Sequence, residues 1–549
     1  LNKERIWIKE PGIWLIFFLY LAAAAFSFNR GLLLSDEGYQ LYFSWLISRG
    51  QKIYKDFFLQ VAPLSYLIQA LLIKIFGLKI IVSRIYALLL GIAGFFGIAY
   101  ISKKIVPGRF WLASASLYIF FSNNLFNFSH YSVESRLELV LSLAFALSWF
   151  DSRRLIMMFF SGLFAAMAAA SYQSFTALAG LELIIFIAFR DKDKNPDWLK
   201  PLAAYVGGFA VVGFAVGAYL AYERLLQEAF SALVFSATSK GHIYYALIHL
   251  VLPIMAAAVA LTIFLSRPWH EGAAVRFLSS TAITLILGIA GAYIIVKRTF
   301  ILPHLISLLV VTAGFTLSAV YLEREGTKRQ WLVWAAGVGL FLLGLLSGHD
   351  LQHNLASSIL LVPWAGFLVE RWKRSSRIKT PGLSPAGIVV MVFLFAASIY
   401  LFATRIEFYG DVEPLYRCNS ALEIGTARGI YTSRAQKLEL ETLVRKTEEL
   451  TKPGDKILVY PNYLLIYNLC LRASVSPRPY FFYELAEINA LDRAVNAAIQ
   501  SKSLVIFQLK NGEIFQPLES KRAGQLIAEL SDSCSEKTAL QNYLICAHR

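Results

Sequence analysis

Two adjacent carboxylates carry the first sign of chemistry in this chain: Asp36 and Glu37, in the stretch Leu34-Ser35-Asp36-Glu37-Gly38-Tyr39. They come soon after the apolar run 12–28, where a membrane helix should emerge into water. An ionised carboxylate within reach of a hydroxyl or amine can take its proton, and an aqueous loop mouth keeps an Asp ionised. Acids at a bilayer are costly and mark function by default. The same pair suits the first turn of a helix, with Ser35 or Asp36 as its cap, and the two roles can coexist. Asp36 is the candidate general base, and Glu37 is suited to orienting a loop or a substrate hydroxyl.

The elements that would position these acids are membrane helices. Of 549 residues, 57% are hydrophobic and 16% charged, against about a quarter charged in a soluble domain. The net charge of +16 does not point to nucleic acid, because Lys and Arg fall in short loops between apolar runs, as the positive-inside rule requires. The first run is read as a retained helix rather than a cleaved signal. Lys3, Arg5 and Lys9 put the opening segment in the cytoplasm, so Asp36 is extracytoplasmic.

Taken in order, an amphipathic helix is expected over 38–50. Next comes a short apolar helix over 63–76, below the roughly 20 residues a span needs. Spans follow at 80–102, 109–122, 137–150, 155–171, 174–190 and 201–220, then an outer loop at 221–245. Further spans are expected at 246–265, 277–296, 300–321, 331–346, 355–369 and 386–404. The expected architecture is a polytopic α-helical membrane protein of about 13 spans. Residues 1–404 form the membrane domain, with a first extracytoplasmic loop at 30–79.

Residues 405–549 read differently. Short apolar strands at 456–461, 504–509 and 543–546 alternate with helices at 434–450, 485–500 and 519–531. This is the pattern of a small α/β domain, and the last span places it outside. The four cysteines, Cys418, Cys470, Cys534 and Cys546, all lie here. They permit two disulfides or buried free thiols, and no spacing suggests zinc.

The first loop also carries a resemblance. Asp36-Glu37-Gly38-Tyr39 is followed by Gly50-Gln51-Lys52-Ile53-Tyr54-Lys55-Asp56-Phe57, then by Ala62-Pro63-Leu64-Ser65-Tyr66, Phe76-Gly77 and Arg84. Over residues 30–150 the chain resembles glycosyltransferase family 39 of the GT-C membrane enzymes. That group includes protein O-mannosyltransferases, the aminoarabinose transferase of lipid A and lipopolysaccharide-core transferases. The resemblance implies a GT-C fold with an extracytoplasmic site and a polyprenyl-phosphate sugar donor. It implies Asp36 as the base of an inverting transfer, with no cofactor or metal. It also implies a second acid, here Glu134 in His130-Tyr131-Ser132-Val133-Glu134. Val133-Glu134 stands where Pro-Asp is common, Glu138 one turn on is the rival, and either acid could instead pair with Arg136 or Arg84.

A phosphate leaving group calls for outer cations. Lys297-Arg298 breaks the positive-inside pattern in a tight outer hairpin and is the first candidate, although snorkelling to lipid phosphates would also explain it. Arg84, His353, Lys240 and His242 are further candidates for binding donor phosphate or substrate. Tyr172-Gln173, at an outer helix end, would touch substrate or anchor at the interface. His349, Asp350 and His353 lie close enough in sequence for a metal, but nothing converges with them. No phosphate-binding Gly-rich loop or nucleophile elbow occurs. Expected partners are a polyprenyl-phosphate-linked sugar, a glycan, lipid or protein acceptor, and membrane lipids, with no nucleic acid, at an inner or plasma membrane. The competing readings are a transporter or flippase of a lipid-linked saccharide and a non-catalytic scaffold. Transporters tend to show internal repeats and broken mid-span helices, which are not evident here.

Overall fold

The structure is a computed structural model. It describes residues 10–106, most of 111–118, 127–188, 199–239, 327–347, Leu360, Pro363, Trp364, Phe367, and 414–548 apart from 480, 482–487, 511 and 516–520. The expected spans at 246–265, 277–296, 300–321 and 386–404 lie outside the described residues, as do Lys240, His242, Lys297, Arg298, His349, Asp350 and His353.

Among the described residues the N-terminal part comprises α1 (Pro11–Ser27), α2 (Asp36–Ser48), α3 (Leu64–Phe76), α4 (Ile80–Ile105), α5 (Tyr131–Ser152), α6 (Leu155–Ser171), α7 (Thr176–Ala188), α8 (Leu199–Tyr222), α9 (Leu226–Ser239) and α10 (Lys328–Ser347). Pro11 begins α1, where its missing N–H costs nothing. Among the described residues two helices, α4 and α8, are long and apolar enough to cross a membrane. Their outer faces stay apolar and uncovered, with Phe214 of α8 79% exposed, as lipid-facing helices require. α3 has 13 residues and is too short to span, as expected.

Two boundaries differ from the sequence reading. α5 begins at Tyr131, so Glu134 and Arg136 stand in its first turns rather than in a loop; His130 caps it, accepting from the Ser132 N–H at 3.4 Å. The outer loop expected at 221–245 contains helix α9, whose polar residues hid an apolar face.

The helices approach closely where small residues allow it. A Cβ on Gly162 of α6 would overlap the Tyr205 backbone, and one on Gly208 of α8 would overlap the Phe159 carbonyl. Such backbone contact is how helices associate without a hydrophobic drive between them. At the end of α5 remote from Glu134, Asp151 pairs with Lys104 of α4 and with Arg329 of α10 at 2.5 Å. This ties three helices together at that end.

The C-terminal domain carries a mixed sheet in the order β4-β3-β5-β8-β7. Its strands are β3 (Lys456–Tyr460), β4 (Ala473–Ser474), β5 (Leu504–Lys510), β7 (Glu536–Ala539) and β8 (Tyr543–Ala547), and β6 (Glu513–Ile514) pairs with β5. A separate two-stranded ribbon joins β1 (Ser420–Ala421) to β2 (Tyr431–Thr432). β3 runs parallel to β4 and β5, while β8 is antiparallel to β5 and β7.

Alternation along the strands divides the core. Leu458, Tyr460, Val505 and Phe507 pack with residues of α13 (Ile488–Gln500) and α14 (Lys521–Asp532). Ile457, Val459, Leu504 and Ile506 pack with residues of α11 (Arg434–Leu450) and α12 (Leu465–Cys470). α11 buries Leu440, Leu443, Val444 and Thr447, one face at helical spacing. The second core is continuous with that of the membrane helices. Of the disulfides the sequence permits, one forms, Cys534–Cys546, while Cys418 and Cys470 are buried and outside any disulfide.

Candidate functional site

Asp36 is the first residue of α2 and is partly exposed. The Ser35 side chain makes no cap hydrogen bond, so Ser35 does not fill the capping role. Both acids lie in the first turn, where the helix dipole favours negative charge.

Glu37 points inward and is fully buried. Arg84 of α4 grips it with two parallel bonds, Nε to Oε1 and Nη2 to Oε2, each 2.7 Å. The remaining Arg84 donors reach the carbonyls of Gly31 (2.7 Å), Phe28 (3.2 Å) and Arg30 (3.5 Å). A guanidinium has five N–H groups, and all are used. Arg84, expected among the donor-phosphate cations, is in this conformation the residue that holds the α1–α2 loop. Glu37 orients that loop through it.

Glu134 is 1% exposed. It accepts from the Ser129 hydroxyl and from Tyr86 at 3.5 Å, and Ser65 of α3 stands beside it. Ser65 Oγ accepts from Gln40 Nε2 at 2.7 Å, and Gln40 stands one helical turn after Asp36. Gln40 on α2, hydrogen-bonded to Ser65 on α3, thus brings the helix of the first acid up to the second, Glu134 on α5. Glu138, the rival, lies deeper, with no hydrogen-bond partner on either oxygen among the described residues. Arg84 is bonded to Glu37 rather than to either of these acids.

An aromatic track follows the same path. Ring centroids are 6.2 Å apart for Tyr39–Tyr66, 6.3 Å for Tyr66–Tyr131 and 5.2 Å for Tyr131–Tyr172. Burial holds the Tyr39 hydroxyl well above its ordinary pKa, with a smaller contribution from the Asp36 charge, so it stays a neutral donor. Tyr172 belongs to this track. Gln173 clamps the first loop, accepting from the Ala62 N–H and donating to the Gln60 carbonyl, both at 3.1 Å. Tyr54 takes a left-handed conformation, φ 67°, uncommon for a bulky residue, and its hydroxyl donates to the Val61 carbonyl at 2.8 Å. The loop is pinned from both sides.

Ser65, Tyr66 and Tyr131 lie in the motifs that carry the resemblance but were given no site role, and Gln40 was not named; only the packing of three helices brings them together. Glu182 could have been found as a lone acid in an apolar run. It is buried in α7, where Oε2 accepts from Ser142 of α5 at 2.8 Å and Tyr205 of α8 at 3.2 Å. Asn127, in the glycosylation-type triplet Asn127-Phe128-Ser129, turns inward, its amide donating to the carbonyls of Ser27 (2.6 Å) and Arg30 (2.9 Å).

The fold is that of solved membrane glycosyltransferases. The chain matches ArnT from Cupriavidus metallidurans bound to undecaprenyl phosphate with a TM-score of 0.53 at 12% identity, over 97% of each chain. The apo state of that protein gives 0.52 at 11% identity, again over 97% of each chain. The oligosaccharyltransferase of Archaeoglobus fulgidus tethered with an acceptor peptide containing the NVT sequon gives 0.51 at 13% identity, over 91% of this chain and 70% of that one. No protein-family model and no curated protein matches the sequence. ArnT and the oligosaccharyltransferase are GT-C glycosyltransferases, and this chain shares their fold. The likeness seen in the motifs of residues 30–150 extends, as a fold, over nearly the whole chain.

Proposed function

We propose that the chain is an inverting glycosyltransferase that moves a sugar from a polyprenyl-phosphate donor to an extracytoplasmic acceptor hydroxyl or amine. The observation that carries this reading is the placement of Asp36. It starts a helix whose next turn is hydrogen-bonded to Ser65, which stands beside Glu134, within a fold shared with a protein solved with undecaprenyl phosphate.

Asp36 takes the acceptor proton as the acceptor oxygen or nitrogen bonds to the anomeric carbon. The carbon–oxygen bond to phosphate breaks on the opposite face, its electron pair leaves with the phosphate, and polyprenyl phosphate departs. Attack opposite the leaving group inverts the carbon. Glu37 acts through Arg84 to fix the loop, and Glu134 anchors the floor of the site. The leaving phosphate needs donors to its developing charge. Lys297 and Arg298 are proposed for this, with His353, Lys240 and His242 as further contacts from the outer loops. The proposed topology has about 13 spans, a cytoplasmic N-terminus and residues 405–549 outside. The acceptor is a glycan, lipid or protein.

The test is transfer from labelled polyprenyl-phosphate sugars in reconstituted vesicles with a panel of acceptors. Transfer with inversion at the labelled carbon supports the reading. Movement of intact lipid-linked sugar across the bilayer without transfer would favour a transporter instead.

A further inference from the structure

The segment bearing Asp36 is held as much by the C-terminal domain as by the membrane helices. Before the acid, Gly31 N–H donates to the Tyr431 carbonyl and Tyr431 N–H to the Asn29 carbonyl, both at 2.8 Å. Arg30 of the α1–α2 loop thereby forms an isolated parallel β-bridge with Tyr431 of β2. Two residues before the acid, the Leu34 carbonyl accepts from Leu465 N–H at 3.0 Å. Two residues after it, Gly38 lies against α12 so closely that a Cβ would overlap the Leu465 backbone nitrogen. One turn further, the Tyr42 hydroxyl accepts from Ser474 N–H at 2.7 Å, and its ring packs on Tyr467 at 4.7 Å. At the loop's far end Phe58 N–H donates to the Pro477 carbonyl at 3.1 Å.

These contacts bracket Asp36 on both sides, and those around α2 are buried. Most run to main-chain atoms, so they fix position rather than merely cover the surface. The N-terminus of α2, which lacks a Ser35 cap bond, is thus set by a different domain.

We propose that the C-terminal domain is a working part of the active site, and that Gly38 and Tyr42 are positioning residues that set Asp36 against the acceptor through Leu465 and Ser474. The role presupposes the glycosyl transfer proposed above. A base displaced by about 1 Å can cost on the order of 100-fold in rate. A positioning residue lowers kcat and leaves donor KM nearly unchanged.

The experiment compares wild type, Gly38→Ala, Tyr42→Phe and Leu438→Ala in vesicles, measuring kcat, donor KM, the pH–rate profile and amide hydrogen exchange. Leu438 is 69% exposed on α11 and serves as control. The expected result for Gly38→Ala is a kcat lower by about 100-fold, donor KM within about two-fold, and a shifted basic-group limb in the pH profile. The amides of residues 34–40 should exchange faster while those of α5 do not. Tyr42→Phe keeps the ring and loses only the hydroxyl, so it should show a smaller change of the same kind, and it stands in if Gly38→Ala does not fold. Leu438→Ala should match wild type. Activity that falls only with the folded fraction, with an unmoved pH profile and unmoved exchange at residues 34–40, would overturn the proposal. Absence of transfer by wild type would instead contradict the proposed function, and exchange at residues 34–40 would then decide the positioning role alone.

Discussion

Arg84 holds Glu37 through two parallel 2.7 Å bonds in a site closed to water. The pair sits directly behind Asp36, and Arg84 spends its other donors on the carbonyls of Phe28, Arg30 and Gly31. Truncating one partner would strand a buried charge, which costs about 3–5 kcal/mol. Glu37→Ala and Arg84→Met are each expected to destabilise the protein by this amount in thermal unfolding in detergent. Arg84→Lys should not rescue, because an ammonium cannot reproduce the planar fork. The double replacement Glu37→Met/Arg84→Met should cost less than the sum of the single changes. Additive losses would show that the pair is not coupled.

Glu182 joins α5, α7 and α8 by accepting from Ser142 and Tyr205. Glu182→Gln keeps an acceptor there and is expected to fold and melt near wild type. Glu182→Leu removes the shared acceptor, leaving Ser142 the Ser161 carbonyl at 2.9 Å and Tyr205 the Ala179 carbonyl at 3.2 Å, and should cost about 0.5–1.5 kcal/mol per lost bond. Equal stability of the two variants in a detergent melt would argue against the hydrogen-bonded hub.

The cysteines give a labelling pattern. Burial pushes the Cys470 thiol up to about 12 from its ordinary 9.0. The thiolate is the reactive form, and at pH 8 only about one Cys470 in ten thousand would be ionised. The native fold keeps this proton where the unfolded chain releases it. The thiol's contribution to stability is therefore full below about pH 9 and is lost as pH rises toward 12. Folded protein should resist iodoacetamide at pH 8. Denaturation without reductant should expose Cys418 and Cys470, and reductant should add Cys534 and Cys546. Mass spectrometry reads the outcome, and four labelled cysteines without reductant would contradict the Cys534–Cys546 disulfide.

Glu134, proposed above as the floor of the site, accepts from Ser129 and Tyr86. Glu134→Gln is expected to lower transfer by about 100-fold through a displaced site, and Ser129→Ala, which removes one bond to Glu134, by less. Glu138→Gln should be milder. The reverse order between Glu134 and Glu138 in an initial-rate assay would exchange their roles.

The helical part of this architecture was legible because apolar runs and flanking charges are local signals. α6 was expected at residues 155–171 and forms as Leu155–Ser171, and α11 was expected at residues 434–450 and forms as Arg434–Leu450. α5 began earlier than expected because polar residues in its first turns, Ser132, Glu134 and Arg136, looked like loop but are buried by neighbours. α12 was missed because Leu465–Cys470 is a short apolar run, which periodicity alone cannot assign. At the site, Asp36 and Glu37 stood out by charge against an apolar background. The destination of Arg84 did not, since five donors can serve a phosphate or a loop equally well until the loop carbonyls are placed. The docking of Leu465 beside Gly38 depends on residues far apart in the chain, and no local pattern encodes it.

The most direct test of the central claim is sugar transfer by wild type and Asp36→Asn, each shown to be folded, in vesicles carrying labelled polyprenyl-phosphate sugars. Loss of transfer in Asp36→Asn by at least about 100-fold, with donor binding retained, is the predicted result. Equal transfer by the two proteins would contradict Asp36 as the base.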